Sequence, residues 1–109
     1  MAKLGVFTIF GKSGVGYLFD VYPLHTIWTP ISAVYVLTRR DLKPDGTGEH
    51  LCISAGQVAS MQDIPEETKT RLSSMYRVNC VCILLEDDES KRAAILTDLL
   101  EGAALFLRN

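Results

Sequence analysis

Residues 11–14, Gly-Lys-Ser-Gly, are of the types that cradle a phosphate group. In the nucleotide-binding loop that uses such a tripeptide, another glycine stands five residues before the Gly-Lys pair. Here that position is Val6. The spacing therefore predicts a glycine-rich turn between two strands rather than a phosphate site.

The three cysteines, Cys52, Cys80 and Cys82, do not have the spacing of a metal site. Cys80 and Cys82 are two residues apart on a predicted strand, so they share one of its faces. We expect buried, reduced thiols that pack as small apolar side chains. Reduced cysteines are typical of the cytoplasm, which is the compartment that we expect for this chain.

Two clusters of charge remain as candidate sites. The acidic run Glu86–Glu89 precedes a predicted helix, where carboxylates complement the helix dipole, so we expect no metal there. Arg39, Arg40 and Lys43 form a small basic group that is either a phosphate-binding patch or a solvated strand end. The net charge of -2 and the pI of about 5.6 argue mildly against a nucleic-acid-binding domain, which is usually basic.

A central hairpin must position the basic group. Ala33–Arg40 and His50–Gln57 are short runs rich in apolar and β-branched residues, which is typical of strands. Between them lies Pro44-Asp45-Gly46, in which proline fixes φ and glycine supplies a positive φ. The sequence therefore predicts two antiparallel strands joined by a turn.

The segments on either side predict an N-terminal hairpin and a helix–strand–helix segment. An Asp-Ile-Pro-Glu sequence predicts a helix start with Asp63 as the N-cap, and Arg77 is expected to end that helix. The elements are strands at 4–10, 16–22 and 78–85, a short helical turn at 57–61, and helices at about 64–76 and 88–107.

These elements predict an α+β domain that spans residues 1–109. We expect a small mixed or antiparallel sheet around the central hairpin, flanked by two to three helices. The composition, 48% hydrophobic and 22% charged, is ordinary for a globular domain. No run approaches the roughly 18 apolar residues that span a membrane, so we expect no membrane partner.

The order of elements resembles the GIY-YIG nuclease domain. The resemblance rests on an Ala-Val-Tyr strand, a turn, a strand ending in Gly-Gln, a helix, an apolar strand and a final helix entered by charged residues. Thr29–Leu37 is similar to the lead-in of small bacterial and phage members, and Glu86–Leu100 is similar to their final helix. The resemblance covers about residues 29–101, and the N-terminal hairpin precedes it.

The resemblance implies which residues form the site. Tyr35 matches the tyrosine that lies beside the scissile phosphate. Gly56 remains from the second motif, and Ser54 stands where that motif has its tyrosine. Gln57 agrees with a residue common after the glycine, and Arg71 is the nearest match to a phosphate-binding arginine.

Leu96 stands where the family has the glutamate that holds the divalent metal. A hard cation such as Mg²⁺ needs oxygen ligands, and the hydrolysis of a phosphodiester needs that cation. Asp98 lies about 200° further round the helix, and Glu101 about 140° and more than a turn away, so neither replaces the ligand. The resemblance therefore implies a degenerate site without a metal.

We predict a domain that has lost catalysis and binds a nucleic acid or a protein, without a cofactor. Its candidate binding residues are Arg39, Arg40, Lys43, Gly56 and Gln57, and its vestigial catalytic residues are Tyr35 and Arg71. One alternative is an active DNA endonuclease that depends on a divalent metal such as Mg²⁺ and has relocated ligands, with Tyr35, Arg71, His50 and Glu101 as its candidate residues. Another is a small structural subunit of a complex unrelated to nucleases.

Overall fold

The computed structural model describes residues 3–102, which form a five-stranded antiparallel sheet and two helices. The predicted α+β architecture is confirmed. The strands are β1 (Gly5–Phe10), β2 (Gly16–Pro23), β3 (Ala33–Leu42), β4 (Gly48–Val58) and β5 (Cys80–Leu85), and the helices are α1 (Glu66–Tyr76) and α2 (Glu89–Gly102). No helix within this range is both long and apolar enough to cross a membrane.

The last strand in the sequence, β5, lies at the centre of the sheet. The strand order is β1-β2-β5-β3-β4, and every neighbouring pair is antiparallel. Residues 80–83 of β5 are buried, because the strand is covered on both faces. The nearly continuous apolar sequence predicted this environment.

The sheet curls until side chains from its two edge strands touch. The rings of Phe7 on β1 and His50 on β4 stack with centroids 4.4 Å apart and planes at 22°. Four strand spacings would separate these edges by about 19 Å in a flat sheet. The face that bears both rings is therefore concave.

Each face of the sheet packs against one helix and has its own core. Helix α2 covers the concave face, where the buried cluster comprises Ile9, Phe19, Val21, Val34, Val36, Cys52, Ala55, Cys80, Cys82 and Leu99. Helix α1 and the loops around it cover the convex face, where the cluster comprises Leu24, Ala33, Leu37, Ile53, Met61, Ile64, Leu72, Val78, Val81 and Ile83.

A β-bulge in β4 preserves this division. Leu37 pairs with Ser54 and Thr38 pairs with Cys52, so Ile53 is an extra residue on β4. The extra residue shifts the alternation of side chains by one. Cys52 and Ala55 consequently both belong to the concave core, although they are three positions apart in sequence, a spacing that places residues of a regular strand on opposite faces.

The start of α1 differs from the prediction. Asp63 is not its N-cap; it lies in a 3₁₀ turn, Met61–Asp63, that the Ser60 side chain caps. Helix α1 begins at Glu66. Its N-cap residue is Pro65, whose side chain can neither donate nor accept a capping hydrogen bond. Arg77 ends the helix as predicted, with a left-handed φ of 61°.

The structure confirms the other two predicted helical segments, at 57–61 and 88–107, only in part. The expected helical turn at 57–61 is wrong at its start, because β4 continues through Val58. In α2, Oδ1 of Asp88 accepts the backbone N–H of Lys91 at 2.9 Å, as expected for a carboxylate at a helix start. The predicted continuation of α2 over residues 103–107 lies outside the described residues.

The Gly-Lys-Ser turn between β1 and β2 docks against α2. Asp98 Oδ1 accepts the Ser13 backbone N–H at 2.9 Å, and Oδ2 accepts the hydroxyls of Ser13 at 2.6 Å and Tyr17 at 2.7 Å. A Cβ at Gly11 would overlap the Asp98 carboxylate, and one at Gly102 would overlap the turn backbone. The two glycines thus allow this close approach.

Asp98 makes the stability of the fold depend on pH in the acidic range. The hydrogen bonds from Ser13 and Tyr17 lower the pKa of this carboxyl below its usual 3.8. Its contribution to stability is present above that value and is lost as pH falls through the lowered pKa. We therefore expect the melting temperature of wild type to fall more steeply below about pH 4 than that of Asp98→Asn.

Thermal unfolding between about pH 2 and pH 7 measures this difference. Asp87→Asn removes an exposed carboxylate near the other end of α2 and serves as the control. It is expected to follow the wild-type curve. If the melting temperatures of wild type and Asp98→Asn fell in parallel with pH, the stabilising role of the ionised Asp98 carboxylate would be contradicted.

Candidate functional site

Tyr35 is a packing residue of the convex face. It pairs with Gly56 of β4, and a Cβ placed on Gly56 would lie 2.5 Å from the Tyr35 hydroxyl. The ring therefore covers the bare backbone of the glycine on the neighbouring strand. Burial raises the pKa of the Tyr35 phenol. Tyr35 and Gly56 are thus brought together, but as a packed pair.

The residues matched to the nuclease tyrosine and glutamate lie on opposite sides of the sheet. Tyr35 packs against the convex core, and Leu96 on α2 packs against the concave core. Arg71 is exposed on α1. The sheet separates these positions, so Tyr35 and Leu96 do not line a common groove.

The residues of the active-nuclease alternative are likewise dispersed. His50 lies at the concave face and Tyr35 at the convex face, while Arg71 and Glu101 are exposed on different helices. Among residues 3–102, no group of three or more His, Cys, Asp or Glu side chains is arranged to hold a metal ion. Glu101 is the one carboxylate of this set and the other three residues lie elsewhere, so the set does not fit a Mg²⁺ ion.

The three thiols are buried and free, as the sequence predicted. Burial raises the pKa of Cys52 to about 11 and that of Cys82 to about 12. A thiol with such a pKa stays protonated and unreactive near neutral pH. The cysteines are therefore packing residues.

Gln57 is engaged by Arg92, a residue that sequence analysis did not select. Arg92 is 3% exposed. Its Nε donates to Oε1 of Gln57 at 2.8 Å, and its Nη1 donates to the carbonyls of Glu86 at 3.0 Å and Asp87 at 2.9 Å. These bonds tie β4 to the start of α2. The signal in the sequence was an arginine three residues before Ile95 and four before Leu96, on the same face of the predicted helix as these apolar residues.

The basic group of the central hairpin divides into two parts. Arg39 pairs with Asp41 at 3.1 Å, and Lys43 pairs with Glu49 at 3.8 Å. Arg40 has no acidic partner among the residues that the structure describes. Its side chain passes over Gly48, where a Cβ would lie 2.5 Å from Nε.

Arg40 borders a groove at the end of the concave face that α2 leaves open. The helix crosses the opposite end, from Gln57 near the end of β4 to the β1–β2 turn. The groove, here called the open groove, has a volume of about 340 Å³ between the start of β1 and the β3–β4 turn. Its lining includes Phe7, Val21, Arg40, Gly48 and His50.

Arg40 supplies the positive charge of the open groove. Burial and the nearby Arg40 guanidinium lower the pKa of His50 below its usual 6.5. The His50 ring is held between Phe7 and Thr38, with Nδ1 2.9 Å from the Thr38 hydroxyl. His50 is therefore neutral at pH 7, and the groove combines one guanidinium with an apolar floor.

A scan against protein-family models found no matching family, and searches of curated proteins and of solved structures found no match.

The packing of Tyr35 on Gly56 predicts a measurable coupling. Gly56→Ala should destabilise the protein by about 1–3 kcal/mol, because the new methyl group displaces a packed ring. In a Tyr35→Leu background the same substitution should cost clearly less, since the shorter side chain leaves room. Denaturant unfolding of the four proteins gives the coupling energy.

Gly5→Ala is the matched control, because a Cβ there meets nothing within 4 Å. It should change stability little in either background. Equal costs for the two glycine substitutions, or strict additivity of Gly56→Ala with Tyr35→Leu, would show that the ring does not cover the glycine.

Proposed function

We propose that this chain is a non-catalytic binding domain, GIY-YIG-like in its order of elements, whose partner is a protein. The main support is the open groove, where Arg40 lies beside an apolar floor without an acidic partner among the described residues, while Arg39 and Lys43 are paired. A guanidinium beside aromatic and aliphatic surface is typical of protein interfaces.

Two observations favour a domain without nuclease activity. The Tyr35 phenol is packed over Gly56, and the position of the metal-binding glutamate is Leu96, on the other side of the sheet. An active nuclease would need a tyrosine, an arginine and a metal ligand around one phosphate. The described residues do not converge in that way.

The charges around the hairpin favour a protein over a nucleic acid. Non-specific nucleic-acid binding draws its affinity from several simultaneous phosphate contacts. In this hairpin Arg39 and Lys43 are neutralised by carboxylates on the same hairpin, which leaves Arg40 alone.

The rim of the open groove adds apolar surface. Leu4 is 45% exposed and Val6 is 57% exposed, and both line the groove. Exposed aliphatic side chains at the edge of a concave site are typical of surfaces that bind proteins.

Site-specific photocrosslinking in the cells that naturally contain the chain tests this proposal. A photoreactive amino acid in place of Val6 at the groove rim should yield a covalent adduct with a discrete protein. The yield should fall at least about tenfold with Arg40→Glu, because the carboxylate reverses the charge of the groove. The same amino acid in place of Thr70, exposed on α1, is the positional control and should give no such adduct.

Three results would contradict the proposal. One is the absence of any adduct at Val6, and another is an adduct that nuclease digestion removes, which would identify a nucleic acid. The third is plasmid nicking that requires Mg²⁺ or Mn²⁺ and disappears with Tyr35→Phe, which would establish the active-nuclease alternative.

A further inference from the structure

We propose that the partner enters the open groove as an extended segment, pairs with the free edge of β1, and places an acidic side chain against Arg40. This inference rests on the proposed function and specifies the chemistry of the partner. It follows from the backbone, the charge, the apolar lining and the size of the groove.

The backbone along the groove is available for pairing. Within residues 3–102, β1 pairs with β2 alone and β4 pairs with β3 alone, so each has one unpaired edge. The curl brings these edges to the same groove, where the rings of Phe7 and His50 stack but the two strands form no backbone ladder. An unpaired edge is a template for an added strand.

Access favours the edge of β1. Gly5 lies at the start of this strand, and a Cβ placed on it would meet nothing within 4 Å. Gly5 therefore places no side chain in the path of an incoming peptide backbone. The β4 side is more crowded, because the Arg40 side chain lies over Gly48.

The charge of the groove selects a carboxylate. Of the three cations of the hairpin, Arg40 alone has no acidic partner among the described residues. Asp41 and Glu49 already pair with Arg39 and Lys43, and Asp45 accepts the backbone N–H and the hydroxyl of Thr47. His50 does not compete, because its lowered pKa keeps it neutral. A carboxylate on an incoming strand would form a charge-assisted hydrogen bond with the guanidinium.

The lining selects apolar neighbours for that carboxylate. Phe7 and Val21 form the floor, and Leu4 and Val6 form the rim. Side chains two residues apart on a strand point to the same face, so an acidic residue flanked at two positions by apolar residues matches this arrangement. The volume of about 340 Å³ suits a few side chains of a strand rather than a folded element.

Two blocked seven-residue peptides that alternate threonine and valine, with a central glutamate or glutamine, test the inference. Calorimetry with the full chain should show the glutamate peptide binding roughly tenfold more tightly than its glutamine twin. Arg40→Gln should abolish that preference, and Arg40→Lys should retain part of it. Arg71→Gln removes an exposed arginine on α1 and should leave the preference intact.

Nuclear magnetic resonance locates the bound peptide and verifies the fold of each variant. The ring signals of His50 should shift as the glutamate peptide is added, whereas those of His25, outside the groove, should not. Failure of both peptides to bind at about 1 mM would overturn the inference. So would equal affinity for the two peptides, or a preference that survives Arg40→Gln.

These failures are distinct from failure of the proposed function. A Val6 adduct that depends on Arg40, together with no binding of either peptide, would retain the protein-binding function and exclude the acidic strand. Loss of the adduct as well would exclude both.

Discussion

The insertion of β5 between two hairpins is the constraint on which the rest of the described structure depends. It forms four residue pairs with β2 and six with β3, and these join the β1–β2 hairpin to the β3–β4 hairpin. Such pairs link segments distant in sequence, so forming them costs the entropy of closing long loops. The apolar side chains of β5 supply both cores, since each face of the strand is covered.

The position of the open groove is set by the short connection from β5 to α2. The chain leaves β5 and enters α2 within a few residues, so the helix must cross the nearer end of the concave face. Arg92 fixes its start to β4, and Asp98 fixes its later part to the β1–β2 turn. The helix therefore cannot cover the far end of the concave face, where Arg40 and His50 lie. The open groove is thus a consequence of topology and not of a separate element.

Local features of this fold could be predicted from the sequence, because they depend on neighbouring residues. The alternation of apolar residues and the Pro-Asp-Gly turn were sufficient for the hairpins, and Gly46 has the expected positive φ of 87°. The predicted N-cap of α1 was wrong, because Asp63 lies in a 3₁₀ turn that Ser60 caps and that ends before the helix begins. The strand order, the bond from Arg92 to Gln57 and the curl depend on distant segments.

The candidate site was predictable in part. Adjacent residues on a strand point to opposite faces, so the separation of Arg40 from Arg39 was available from the sequence. Their acidic neighbours, Asp41 and Glu49, were visible too. The sequence did not indicate on which side of the sheet α2 packs. The packing of α2 on the concave face places Leu96 on the opposite side of the sheet from Tyr35. A pattern of motifs in the right order therefore did not define a common site.

Amide hydrogen exchange along β1 shows directly whether a bound segment adds a strand to the free edge of β1. With the glutamate peptide at saturation, alternate amides of Gly5–Phe10, those on the outer edge of the sheet, should exchange more slowly, because an added strand accepts their hydrogen bonds. The amides of α1 should be unchanged, and Arg40→Gln should reduce the protection. Bound peptide without any slowing along β1, or with slowing confined to α1, would contradict the account.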